Sequence, residues 1–105
     1  MVIVETSIFT RQILVLLSDD EYRLLQESVA ARPDQGVLLR GGGGARKVRW
    51  GASGTGKRGG CRIIYYWFVA ADQIIFLLAY GKNEKDDLSR DEVKELRDLV
   101  KEQFK

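Results

Sequence analysis

Histidine is absent from these 105 residues, and with it the commonest general base, the usual zinc sites and the Ser-His-Asp triad. A single cysteine, Cys61, cannot close an internal disulfide, and without histidine it cannot form a Cys-His nucleophile. No apolar run reaches the roughly 18 residues of a membrane-spanning helix. The longest, Ile63 to Ala71, has the length and composition of a strand. The first residues lack the basic start and small-residue cleavage site of a secretory signal. These absences lead us to expect a cytoplasmic protein with no membrane partner. Any enzyme built on this chain must work with Lys, Arg, Tyr, Asp, Glu or backbone groups.

Acidic residues are missing from one stretch altogether. From Gln35 to Ala71 the chain carries Arg40, Arg46, Lys47, Arg49, Lys57, Arg58 and Arg62 and no Asp or Glu. Residues 1–34 hold six acids against three bases, and residues 83–105 hold eight against six. The net charge of +2 therefore hides a concentrated basic centre between acidic flanks, the pattern of a field aimed at a polyanion.

What is present suits one domain spanning residues 1–105, since 45% hydrophobic residues suffice for a core at this length. Residues 2–6 read as a strand. Ser7 is placed to cap a helix burying Phe9, Ile13 and Leu16 or Leu17, with Ile8 on the same face. Ser18-Asp19-Asp20-Glu21 matches a capping box for a second helix, with Tyr22, Leu25 and Val29 on one side and an end near Arg32-Pro33. A loop ending in four glycines follows. The period then switches to two: Lys47 and Arg49 share one strand face, Val48 and Trp50 the other. Two further strands, Cys61 to Val69 and Gln73 to Tyr80, turn near Ala70-Ala71-Asp72. Ser89-Arg90-Asp91-Glu92 opens a last helix with Val93, Leu96, Val100 and Phe104 facing inward. The expected fold is α+β, in the order β-α-α-β-β-β-α, with a small antiparallel-rich sheet covered by helices on one face.

Residues 51–60, Gly-Ala-Ser-Gly-Thr-Gly-Lys-Arg-Gly-Gly, tempt two nucleotide motifs. Gly51 to Lys57 matches the first seven positions of a P-loop, but Arg58 stands where magnesium needs Ser or Thr, and a strand follows in place of a helix. The Gly54, Gly56, Gly59 spacing of a dinucleotide fingerprint fails the same helix requirement. As a hairpin connection the segment is long, since about two to five residues suffice. Its glycines and Lys57/Arg58 suit a phosphate chain. Lys47, Arg49, Arg62 and Lys82 bring cations from three adjacent strands with no acid between them, a surface fitted to RNA. Tyr65 to Phe68 is mainly core, with Tyr66 or Tyr80 available to stack on a base. Cys61 reads as an inert buried residue.

The stretches Arg46-Lys47-Val48-Arg49, Gly56-Lys57-Arg58-Gly59-Gly60-Cys61-Arg62-Ile63-Ile64-Tyr65-Tyr66 and Tyr80-Gly81-Lys82-Asn83-Glu84-Lys85-Asp86-Asp87-Leu88-Ser89 resemble the RelE/HigB family of bacterial type II toxin–antitoxin toxins. They look closest to the HigB-like branch. The resemblance implies the RelE-like fold, a ribosome-dependent endoribonuclease that cuts mRNA in the ribosomal A site, contacts with mRNA and rRNA, and a cognate antitoxin of helix-turn-helix type. It implies no metal and no cofactor. Lys47 and Arg49 take the places of sheet lysines that stabilise charge and move protons, and Arg62 that of an arginine on the scissile phosphate. Lys82 and Tyr80 complete the catalytic set, and Arg46, Lys57, Arg58 and Asn83 are expected RNA contacts. Asn83 replaces an arginine of some relatives, and Leu88 or Ser89 stands where they have a tyrosine. The same fold also serves ParE-like inhibitors of DNA gyrase, which cut no RNA, and this alternative stays open at the level of sequence.

Overall fold

β-branched residues open the chain as β1 (Val2–Glu5), and Thr6 converts strand into helix. The Thr6 hydroxyl accepts the Phe9 N–H at 3.0 Å, capping α1 (Ser7–Leu16), and donates to the Leu77 carbonyl at 2.9 Å. The cap therefore sits one residue before the expected Ser7, because Thr6 serves the helix start and the sheet together. Phe9, Ile13 and Leu17 are buried, whereas Ile8 faces solvent. Both halves of the Ser18–Glu21 capping box form at the start of α2 (Asp19–Ala31), which ends at Arg32 just before Pro33. The computed structural model describes residues 1–51, 60–85 and 87–103.

Four more strands follow: β2 (Val37–Leu38), β3 (Arg46–Trp50), β4 (Cys61–Phe68) and β5 (Gln73–Gly81). The chain ends in α3 (Arg90–Gln103), opened by a Ser89–Glu92 capping box at 2.8 and 3.1 Å. The expected order holds, with two-residue β2 added inside the segment read as loop. In space the strands run β1-β5-β4-β3-β2. β1 lies parallel to β5, and every other pairing is antiparallel.

Helices cover both faces of the sheet, not one as the sequence suggests. Phe9, Ile13, Leu25 and Val29 of α1 and α2 pack on Ile63, Tyr65, Ile74 and Phe76. Leu96 and Val100 of α3 pack on Ile64, Ile75, Leu77 and Tyr80 from the other side. The reason is visible in β4, where Cys61 through Tyr65 are all buried; a strand apolar on both faces needs a layer on each.

β5 carries one irregularity that matters for the site. Ile64 pairs with Leu78 while the next residue, Tyr65, pairs with Phe76, leaving Leu77 as an extra residue. Leu77 and Leu78 both join the α3 face, so the bulge inverts the alternation of everything after it.

Candidate functional site

The register lays three polar side chains in a row across the α3 face. Arg49 of β3 stands opposite Arg62 of β4, and Arg62 stands opposite Tyr80 of β5. Directly opposed side chains on one face have Cβ atoms roughly 4.5–5.5 Å apart, so two guanidinium groups and a phenol are neighbours. Arg62 is 7% exposed, the only charged side chain buried among the described residues. Its Nε and the Tyr80 hydroxyl have no hydrogen-bond partner among those residues. An unmet buried polar group costs about 1–3 kcal/mol, more when charged, so the fold holds this row at a cost.

Lys47 lies two residues before Arg49 on the same face, opposite Ile64. Its Nζ donates to the Asp87 carboxylate at 2.7 Å, with the lysine side chain 17% and the aspartate 72% exposed. The Lys47 hydrogen bond and charge hold the Asp87 carboxyl below its usual range, and Arg49 and Arg62 add to the effect. The absence of any acid among these cations, expected from the strands alone, is thus corrected: Asp87 arrives from the segment joining β5 to α3. Lys85, on that same segment, lies 5.6 Å from the Tyr80 ring centroid and pairs with Glu92 at 2.6 Å. Burial raises the Tyr80 pKa, and the charges of Asp87 and Glu92 raise it further against the opposing pull of Arg62. Tyr80 therefore stays a phenol at neutral pH, a donor and not a base.

The row opens at the end of the sheet into a cleft of about 240 Å³ lined by Arg49, Trp50, Gly51, Gly60, Cys61, Arg62 and Lys82. Gly60 narrows it with φ 86, and a Cβ there would lie 2.7 Å from the Trp50 carbonyl oxygen. Lys82 is exposed at the rim, its N–H reaching the Gly60 carbonyl at 3.4 Å. Cys61 is buried as expected, and burial pushes its thiol up to about 11, with Glu21 adding to the shift.

The structure thus brings together Lys47, Arg49, Arg62, Tyr80 and Lys82. Arg46 is not one of them. It lies on the α1–α2 side of β3, and its guanidinium donates to the carbonyls of Asp34 at 3.0 Å and Gly36 at 2.8 Å, where it fastens the α2–β2 connection. Tyr80, at 3% exposure, cannot stack on a base as the sequence suggested. Tyr66 is half-buried against Phe68, ring centroids 6.1 Å apart. Asn83 is exposed in the turn after Lys82. Lys57 and Arg58, and most of the P-loop-like and dinucleotide-like patterns, lie outside the described residues; the element that follows them is strand β4, as the argument against both motifs required. Among the described residues no three His, Cys, Asp or Glu gather to hold a metal ion.

Asp87 is the member that the sequence did not single out. Its one signal was position: an acid two residues before a capping Ser, on a segment that must cross from the end of β5 to the start of α3.

A mixed five-stranded sheet between helices, with a histidine-free cationic row on one face, defines a small α+β protein. A family model described as the RelE toxin of the RelE / RelB toxin-antitoxin system matches residues 6–105. The chain belongs to this family of toxins, and the partner the system implies is an antitoxin. No helix among the described residues is long and apolar enough to cross a membrane.

Proposed function

We propose that the toxin is a metal-independent endoribonuclease that stops translation by cutting mRNA in the ribosomal A site. One observation carries this reading above the others: a buried arginine, Arg62, whose Nε has no partner among the described residues and which faces the unpartnered hydroxyl of Tyr80. Such a pair suits the non-bridging oxygens of a phosphodiester, which accept both donors and repay their burial.

Cleavage on this reading begins when the ribose 2′-hydroxyl loses its proton and its oxygen attacks phosphorus in line. The P–O5′ bond breaks, the 5′-oxygen takes up a proton, and a 2′,3′-cyclic phosphate and a 5′-hydroxyl result. Lys47 and Arg49 assist deprotonation by their positive charge. On this reading Asp87, the carboxylate paired with Lys47, takes that proton as a weak base, since the same lysine lowers its pKa, and positioning supplies the rest. Arg62 and the Tyr80 phenol stabilise charge on the phosphate, Lys82 guides the strand from the rim, and Lys57, Arg58 and Asn83 are further RNA contacts. Positioning and a preorganised cationic clamp supply much of the rate in such chemistry, so no histidine is needed. The Gly56-Lys57-Arg58-Gly59-Gly60 pattern supports a place in the HigB-like branch, with a helix-turn-helix antitoxin and a cytoplasmic site of action.

The test is controlled expression followed by mapping of 5′ ends on a defined cellular mRNA, with Arg62→Ala and Arg62→Lys alongside. New cuts confined to translated regions, lost in Arg62→Ala, are the expected result. Growth arrest with intact mRNA would refute the nuclease reading.

A further inference from the structure

A second cleft, of about 250 Å³, lies between the loop after β2 and α3. Arg40 enters it from the loop, and Arg90, Lys94 and Arg97 enter it from the helix. Spacings of four and three residues put the three helical cations along one side of α3. No carboxylate lines the cleft. Among the described residues Arg40, Arg90 and Lys94 have no ion pair, and Arg97 pairs only with its chain neighbour Asp98, at 3.4 Å. Of the two acids in the first turn of the helix, Asp91 and Glu92, Glu92 is engaged with Lys85 and with the Ser89 N–H.

Like charges at i and i+4 destabilise a helix by roughly 0.2–0.5 kcal/mol, and Arg90 and Lys94 stand in that relation. The glycine loop adds a constraint of its own. At Gly43, with φ 71, a Cβ would lie 3.1 Å from Arg97 Cγ, so the backbone closes on the arginine stem and keeps its guanidinium at the cleft. Four cations lining one cleft without a carboxylate suit a multivalent anion.

The neighbouring geometry says which anion. Leu88 lines this cleft, and the residue before it, Asp87, lies on Lys47 at the edge of the Arg49–Arg62–Tyr80 row. The Arg49–Arg62–Tyr80 row lies on the α3 side of the sheet, and the second cleft is walled by α3 itself, so the two suit one extended polyanion. The only apolar lining is Leu88 and Val93, too little to anchor a protein helix, whereas guanidinium forks match phosphate oxygens.

We infer that this cleft binds the sugar–phosphate backbone of a single RNA strand a few nucleotides from the bond placed at Arg62. The inference rests on the nuclease reading above, and its test separates the two. A fluorescent 2′-O-methyl oligoribonucleotide, which cannot be cleaved because its 2′-oxygen is blocked, is titrated with the full chain at several salt concentrations. Arg90→Gln/Lys94→Gln alters two exposed helix positions, and Arg40→Gln alters the loop without touching the helix. The double variant should bind about tenfold more weakly, and its log–log salt slope should fall by about 1.4, roughly 0.7 per lost phosphate contact. Arg40→Gln should shift both in the same direction by about half.

Unchanged affinity and slope in variants that keep the native circular dichroism would overturn the inference. So would variants that lose binding to a polyglutamate peptide while keeping the oligonucleotide, which would assign the cleft to an acidic protein partner. Loss of oligonucleotide binding in the cleft variants, together with undiminished mRNA cutting by Arg62→Ala, would uphold the cleft and remove the catalytic reading alone.

Discussion

Arg62 and Tyr80 face each other across β4 and β5 only because β5 carries Leu77 as an extra residue. Strict alternation from Phe76, which points toward α1 and α2, would send Tyr80 to that same side. The bulge instead places Leu77 and Leu78 together on the α3 side and delivers Tyr80 beside Arg62. Bulges commonly re-aim a side chain near a functional site, and here the re-aimed group is a buried phenol without a partner among the described residues.

Tyr80→Phe removes that unmet hydroxyl and leaves the ring in place. The variant should be more stable than the parent by roughly 0.5–2 kcal/mol, since no native hydrogen bond is lost and a buried polar group disappears. Its mRNA cutting should fall at the same time. Urea denaturation read beside the 5′-end mapping checks both, and a destabilised Phe variant would mean the hydroxyl has a partner in the folded chain.

The pH dependence of stability should carry the mark of Asp87. Its folded pKa is lowered by Lys47, so the pair contributes stability above the unfolded carboxylate value of about 4, and the contribution is lost as pH falls through the lower folded value. Glu92, lowered by its hydrogen bond from Lys85 and by Ser89, acts in the same direction. Asp87→Asn should lower the urea midpoint slightly at neutral pH and converge with the parent at low pH, flattening the acid limb of a plot of urea midpoint against pH. Because Asp87 is exposed, high salt should shrink the difference.

Gly60→Ala tests how tightly the mouth of the first cleft is built. A left-handed φ of 86 and a Cβ only 2.7 Å from the Trp50 carbonyl oxygen leave no room for the methyl group. We expect a loss of about 1–3 kcal/mol in thermal or urea unfolding. Gly51→Ala, where an added Cβ meets nothing within 4 Å, is the matched control and should change stability little.

Much of this protein is legible without coordinates, and the reason is local. Capping boxes at Ser18 and Ser89 depend on residues three apart, the 3.6-residue spacing of Leu96 and Val100 marks a buried helix face, and the period-two pattern of Arg46–Trp50 separates Lys47 and Arg49 from Val48 and Trp50. The lack of histidine and the acid-free centre likewise narrow the chemistry before any fold is known.

Tertiary structure decided the rest. Composition cannot separate Arg46 from Lys47, yet strand direction sends Arg46 to backbone carbonyls and Lys47 to Asp87, forty residues away. The bulge at Leu77 cannot be read from β5, because it exists only in the pairing with β4. Nor does the spacing in α3 reveal that Arg40 meets Arg90, Lys94 and Arg97 in one cleft. Local periodicity determines which face of its own element a residue takes. Which residues from distant elements share that face is set by strand register and helix docking, and there the candidate site was assembled.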